Sequence, residues 1–229
     1  MISESIYPVL GREELFAVHT SDGSFTIYNK IYKATYHSIF GAVSESKHTY
    51  QQKCLDTQLH KARIKILEFG FGTGLNAFLA FLFSQKHHLQ VDYFGLETFP
   101  IDVSIINELD YPGYLAFPDK KDILTKMHET EVFEMENFTF HRYELWSSVP
   151  DSGDFDCIFF DAFAPEVQPE LWSPDMFDRL FHATAPGGCL VTYCAKGDVR
   201  RNMEHSGYLV SRIPGAPGKR QMLRAFKPL

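Results

Sequence analysis

The segment Glu68-Phe69-Gly70-Phe71-Gly72-Thr73-Gly74-Leu75-Asn76 joins a strand-forming run, Ile64 to Phe69, to a helix-forming run, Leu75 to His87. Glycines at such a junction let the backbone turn sharply and approach a ligand with no side chain between, beside the free amides of a helix N-terminus. The spacing Gly70-x-Gly72-x-Gly74 is not the G-x-G-x-x-G of a dinucleotide fold, and the Gly-Lys-Ser/Thr of a phosphate loop is absent. It argues for adenosine without a pyrophosphate. Glu97 lies about twenty residues further on, at the end of the next strand, where a carboxylate can accept from both ribose hydroxyls. A glycine turn can serve packing alone, and a strand-end glutamate can be merely solvated. In this order and separation they point to S-adenosylmethionine as cofactor, with Gly70, Gly72, Gly74 and Glu97 holding it.

Asp161-Ala162-Phe163-Ala164-Pro165 follows the very apolar run Phe155 to Phe160. Ligands of open α/β sheets bind over the carboxyl ends of the strands, so Asp161 is expected to face the same crevice as Gly72 and Glu97. An aspartate there can also simply cap the next loop. Methyl transfer to nitrogen needs a neutral amine with its lone pair aimed at a sulfonium carbon, whereas alkylammonium groups titrate near ~10. A carboxylate with an ordinary pKa near ~4 is a poor base for that proton, which assigns Asp161, the one catalytic candidate, to hydrogen-bonding and orienting the amine, with proton acceptance at most transient.

Other chemistries find no support. There is no H-E-x-x-H, no Gly-x-Ser-x-Gly elbow and no C-x-x-C among Cys54, Cys157, Cys189 and Cys194, so zinc peptidase, serine hydrolase and disulfide-framed readings fall and no metal is expected. The 229 residues carry a net charge of -7, unevenly spread: residues 196–229 are +6 and the rest -13. That asymmetry allows an anionic partner at Lys196, Arg200, Arg201, Lys219 and Arg220, or merely a solvated helix face and edge strand. The longest apolar run, Ala77 to Phe83, is far short of the ~20 residues that cross a bilayer, and the acidic start lacks the basic end of a signal peptide, so a cytoplasmic protein is expected.

The elements that must position these residues read as follows. Leu15 to Thr20 and Ser24 to Asn29 alternate about Asp22-Gly23, a hairpin, and Val43 to Leu59 reads as a helix. Strands and helices then alternate: strands at Ile64 to Phe69, Val91 to Glu97, Phe138 to Tyr143, Phe155 to Phe160 and Cys189 to Cys194, with helices at Leu75 to His87, Ile101 to Leu109, Lys120 to Thr130, Pro169 to Thr184 and Asp198 to His205. Tyr208 to Ile213 and Gln221 to Phe226, joined without a helix, must lie antiparallel. The expected fold is α/β and Rossmann-like, a mostly parallel seven-stranded sheet ending in an antiparallel hairpin. A hairpin-helix extension at residues 1–60, serving as a lid on the substrate side, precedes a catalytic domain at 61–229.

Four segments carry a family resemblance: Asp22-Gly23-Ser24 with Tyr36-His37-Ser38, Gly41-Ala42 and Glu45-Ser46; Glu68 to Asn76; Asp161 to Pro165 with Pro169-Glu170-Leu171-Trp172; and Gly218 to Leu223. In these the chain resembles the methyltransferase part of the bifunctional bacterial MnmC enzymes and their stand-alone MnmD-like relatives. The resemblance implies a class I S-adenosylmethionine-dependent methyltransferase that methylates the exocyclic amine of 5-aminomethyl-2-thiouridine at the tRNA wobble position, giving 5-methylaminomethyl-2-thiouridine. It adds Glu68, Asn76 and Asp161 to the cofactor set, and Tyr36, His37, Glu45, Phe163, Pro165 and Trp172 to the substrate side. The implied partners are the tRNA anticodon region, held by the basic C-terminal residues, and a separate enzyme that makes the amine, since the chain stops at Leu229 with no room for an oxidase. Phe163 and Trp172 are candidates to stack a flipped wobble base, although a tryptophan in an amphipathic helix is more often core. Where the family often has Gly-Asp after the third strand, this chain has Arg142-Tyr143-Glu144-Leu145, and Ala34 replaces an acid before Thr35-Tyr36-His37. Two other readings share these features: a transferase acting on a small amine, which has no use for the +6 tail, and a non-catalytic nucleotide-binding module of a tRNA-modifying complex.

Overall fold

The structure, a computed structural model, describes residues 6–9, 12–149 and 153–229. The N-terminal hairpin is part of a four-stranded antiparallel sheet of Ile6–Val9 (β1), Arg12–His19 (β2), Phe25–Asn29 (β3) and Ala34–Thr35 (β4). Asp22 fixes the β2–β3 turn, its carboxylate accepting from Ser24 N and Oγ and, across the chain, from Ser44 N of the short helix Ala42–Ser46 (α1). The single helix expected over Val43 to Leu59 is broken into three pieces: α1, a π-helical stretch Lys47–Gln52 and a 3₁₀ turn Leu55–Gln58. The widened turn carries Tyr50, whose buried ring packs on Phe159.

The main sheet comprises Arg63–Phe69 (β5), Gln90–Leu96 (β6), Val132–Met135 (β7), Phe138–Tyr143 (β8), Phe155–Phe160 (β9), Thr184–Thr192 (β10), Leu209–Pro214 (β11) and Gln221–Phe226 (β12), in the order β11-β12-β10-β9-β5-β6-β8-β7. Five central strands are parallel, and β12 and β11 close one edge as the expected antiparallel hairpin. At the other edge β7 adds an eighth strand, antiparallel to β8. Sequence reading missed it because Val132 and Met135 stay exposed, so no buried alternation marks it.

Side chains along the central strands divide between two apolar layers. Cys157 and Phe159 of β9 face a layer that also takes Ile64 and Ile66 of β5, whereas Phe155, Ile158 and Phe160 face one shared with Leu67, Phe69 and Leu190. Burial on both faces is why Phe155–Phe160 lacks polar alternation. The first layer is covered by Leu75–His87 (α2), Val103–Leu109 (α3), the short Tyr111–Tyr114 (α4) and Lys121–Glu129 (α5), and it also takes Ile27, Val43, Tyr50 and Leu55 from the N-terminal segment. The second is covered by Pro174–Ala183 (α6) and Gly197–His205 (α7). Between β5 and β9 the chain order reverses direction, which opens a crevice over their carboxyl ends.

Candidate active site

That crevice is a cavity of about 710 Å³ lined by Gly70 to Thr73 after β5, Glu97 after β6, Asp161 to Ala164 after β9, Tyr193 after β10, and Tyr36 to Phe40 and Glu45 from the N-terminal segment. Its size suits a small-molecule cleft of ~300–1,000 Å³. Gly70, Gly72, Glu97 and Asp161, which lie far apart in sequence, meet there.

The turn works through backbone shape. Gly70 has φ +83, and a Cβ on it would stand 2.6 Å from the Asp161 carbonyl oxygen, so only glycine lets the two loops pass each other. Gly72 has φ +49, and a Cβ there would come within 3.0 Å of the Tyr36 ring and fill the cradle. Glu97 is pinned by Gly72 N and Phe99 N, each donating to one carboxylate oxygen at 2.9 Å, which leaves lone pairs on both oxygens toward the cavity. Burial raises its pKa, the two amides opposing the shift. These groups fit the ribose and glycine-turn end of S-adenosylmethionine. Leu96, Phe99, Leu145 and Trp146 add an apolar wall suited to a flat base, with Trp146 packed 4.9 Å from Phe69. Among the described residues this wall occupies the region where a Gly-Asp is absent; its signal in the sequence was position alone, just beyond the third parallel strand.

Asp161 sits at the other end in a charged and aromatic setting. Asn76 Nδ2 donates to Asp161 Oδ2 at 2.9 Å and to Glu68 Oε1 at 2.8 Å, and Tyr93 donates to Glu68 Oε2 at 2.6 Å. Burial, helped by the Glu45 charge, pushes the Asp161 carboxyl up to about 8, against the lowering pull of Tyr50, Lys219 and Asn76. This corrects the ordinary value assumed from sequence: the carboxyl is largely protonated at neutral pH. Burial also drives Glu68 well above the usual carboxylate range. Glu68 and Asn76 do not line the cavity, and they reach it through Asp161. Gly74 lies outside it too, and a Cβ there would stand 2.8 Å from His128 Nε2.

Of the substrate-side candidates, Tyr36 and Phe163 meet in the cavity with ring centroids 5.1 Å apart, and Tyr32 joins them at 5.0 Å from Phe163. His37 is buried, its Nε2 2.7 Å from Thr73 Oγ1, which fastens the N-terminal segment to the glycine turn; burial drops its pKa to about 4, so it is neutral at physiological pH. Glu45 Oε2 accepts from Ser38 N at 2.7 Å and Oε1 from Lys219 Nζ at 2.5 Å, so Lys219 lies inside the crevice. Trp172 is not a stacking platform: it is 4% exposed, packs on Phe160 and Phe177, and donates its indole N–H to the Phe163 carbonyl at 2.8 Å. Pro165 lies outside the cavity, in the loop that leaves it. Lys196, Arg200 and Arg201 also lie outside and pair with Glu166, Glu204 and Asp198, while Arg220 is exposed. Tyr50 and Tyr193 were missed. Tyr193 could have been found as the residue just past the fifth parallel strand, whereas nothing in a helical period marks Tyr50.

The sequence relatives agree with this geometry. A family described as S-adenosyl-L-methionine-dependent methyltransferase matches residues 124–228. The chain is 26% identical over 216 residues to the tRNA 5-methylaminomethyl-2-thiouridine biosynthesis bifunctional protein MnmC of Pseudomonas putida, covering 86% of this chain and 33% of that protein. It is 30% identical over 183 residues to the MnmC protein of a Marinomonas species, covering 72% and 26%. It thus spans about a third or less of the length of these curated relatives. The crystal structure of MNMC2 from Aquifex aeolicus shares the fold, with a TM-score of 0.79 at 24% identity over 98% of this chain and 75% of that one. No helix among the described residues is long and apolar enough to cross a membrane, and no group of three or more His, Cys, Asp or Glu among them is arranged to hold a metal ion.

Proposed function

We propose that this chain is a methyltransferase that acts on tRNA, moving a methyl group from S-adenosylmethionine to the exocyclic amine of 5-aminomethyl-2-thiouridine at the wobble position to give 5-methylaminomethyl-2-thiouridine. The observation that carries this reading is the pair of carboxyl side chains, Asp161 and Glu45, in the cavity lined by Tyr32, Tyr36 and Phe163. Carboxylates suit an amine that arrives as an ammonium, and aromatic rings suit the face of a flipped base. The names of the curated relatives agree with that product.

When bound, S-adenosylmethionine supplies an electrophilic methyl group on a sulfonium, from which the amine takes the carbon as the C–S bonding pair returns to sulfur. Gly70 and Gly72 hold the donor side and Glu97 the ribose hydroxyls. In its ionised form Asp161 takes a proton from the acceptor ammonium and keeps the freed lone pair aligned, and with its pKa raised to about 8 that form becomes populated as pH rises through about 8. Its raised pKa brings it closer to the ~10 of an alkylammonium, which makes that transfer less uphill than an ordinary aspartate would allow.

One observation favours a small free amine instead: Lys196, Arg200 and Arg201 each have an acidic partner, which reduces the bare positive surface available to tRNA. Labelled methyl donor offered together with tRNA from cells lacking this modification and with free polyamines decides between them. Label in tRNA, with binding that weakens steeply as salt rises, supports the proposal; label in the small amine alone refutes it.

A further inference from the structure

Lys219 places an ammonium inside the cavity, and the groups that receive it there are held in place without it. The turn Gly215-Ala216-Pro217-Gly218 is closed by Lys219 N donating to the Ala216 carbonyl at 2.8 Å, and Gly218, at φ +82, lies so close to Phe40 that a Cβ would overlap its ring. From this turn the side chain enters the cavity, where Nζ donates to Glu45 Oε1 at 2.5 Å and stands 3.8 Å from the centroid of the Tyr193 ring. Ser38 N donates to Glu45 Oε2 at 2.7 Å, and the Tyr193 hydroxyl donates at 2.9 Å to the carbonyl of Ala162, the residue after Asp161. The ring under the cation is thus tied to the loop that carries Asp161. The Glu45 side chain is 7% exposed and that of Lys219 31%, so the acid belongs to the wall while the cation reaches it from the open side.

A buried carboxylate beside an aromatic face is a combination that binds an alkylammonium, the acid through a charge-assisted hydrogen bond and the ring through a cation–π contact. We propose that Glu45 and the face of Tyr193 form the ammonium subsite of the acceptor, and that Lys219 is an internal placeholder whose ammonium the acceptor's own displaces. The proposal rests on the amine-acceptor reading above, since a lysine ammonium and a protonated aminomethyl group are the same chemical class, primary alkylammonium ions. An empty subsite would leave Glu45 a nearly buried charge without a counter-ion, a state that Lys219 relieves. Its flexible four-carbon stem lets it withdraw toward the open side. A tethered cation competes with every amine that enters, so the subsite yields only to an ammonium whose remaining atoms the cavity also holds. A small free amine has no such further contacts, and Lys219 thereby selects against it.

Ethylammonium chloride is the probe, titrated into the protein with sodium chloride at equal ionic strength as the control. In wild type the Lys219 Cε–Hε NMR signal lies in the ring current of Tyr193. Ethylammonium is expected to move it toward the position of a solvated lysine, and sodium chloride to leave it in place. In Lys219→Met the Tyr193 ring signals are expected to saturate at lower ethylammonium than in wild type, and in Lys219→Met combined with Glu45→Gln not to respond. With tRNA as acceptor, Lys219→Met is expected to lower KM by up to about fivefold, the factor set by a part-exposed ion pair, with an unchanged salt slope of tRNA binding. A wild-type Lys219 signal that answers ethylammonium no more than sodium overturns the proposal, and this result needs no variant to fold. So does a Tyr193 ring in folded Lys219→Met that ignores ethylammonium. A raised KM in Lys219→Met with the salt slope flattened by about 0.7, the signature of a lost phosphate contact, overturns it as well. Absence of methylated tRNA with the wild-type protein would count against the acceptor reading instead, and the ethylammonium titration still decides whether the subsite takes an ammonium.

Discussion

In the proposed function Asp161 and Glu97 divide the site between chemistry and donor binding, and their environments make the division measurable. Glu97 keeps both oxygens oriented by backbone amides, so Glu97→Ala should lower donor affinity about ten- to a hundredfold by calorimetry, the loss expected for a charged hydrogen bond of ~1.5–3 kcal/mol. Asp161→Asn keeps the shape and should bind donor normally while slowing methylation, because alignment of the reacting amine shows in kcat more than in donor affinity. A second expectation follows from linkage. Asp161 titrates at about 8 in the folded chain against an ordinary 3.8, so between those values the folded protein holds a proton that the unfolded chain has released. Its favourable contribution is complete below about 4 and is lost as pH rises through about 8, as the linkage relation requires. The donor-free Asp161→Asn variant should therefore lose this pH dependence and melt on the order of a few degrees above wild type near pH 8, measured by thermal denaturation. A lower melting temperature at that pH would mean that the carboxylate is better solvated in the cavity than its burial implies.

The elements that carry these residues were largely legible in advance, for reasons that also mark where legibility ended. The glycine turn sits where β5 ends and α2 begins, and glycine spacing is a direct readout of backbone conformation: Gly70, Gly72 and Gly74 all have positive φ. Gly70→Ala should thus forfeit donor binding and destabilise the fold by roughly 1–3 kcal/mol, since it meets both a strained φ and the Asp161 carbonyl; denaturant titration and calorimetry read the two effects. The five parallel strands and the closing hairpin were equally visible, because burial on both faces writes itself as apolar runs. The π-helical stretch was not, since its residues have no distinctive local preference and its wider turn is set by tertiary packing of Tyr50 on Phe159. The same limit applies to Trp172: helical spacing leaned toward core but left a stacking role open, and the packing of Phe160 and Phe177 around it decided for the core. The Glu45–Lys219 pair joins residues 174 positions apart, a separation at which single-sequence periodicity is silent.

At the scale of the whole molecule, the uneven charge takes on a different form once folded. The basic C-terminal segment is no uniform surface, because Lys219 turns into the cavity and the α7 arginines pair with acids on their own helix. Exposed pairs of that kind are worth little and open readily toward a stronger anion, so they remain available to tRNA phosphates but do not mark a docking face by themselves. Arg220 is exposed and follows the turn at the cavity mouth. Arg220→Ala should weaken tRNA binding and flatten its salt slope by about 0.7, the value for one phosphate on a single strand, with donor affinity intact. Equal salt slopes for this variant and wild type would remove Arg220 from the interface. The central claim, that the two carboxylates serve a wobble amine, is tested most directly by mass spectrometry of nucleosides from tRNA that lacks the modification, after incubation with the protein and S-adenosylmethionine. The account predicts that 5-aminomethyl-2-thiouridine at the wobble position is converted to its N-methyl derivative by wild type and only slowly by Asp161→Asn. A methyl group appearing on any other nucleoside, or an unchanged wobble base in the presence of donor-binding protein, would contradict it.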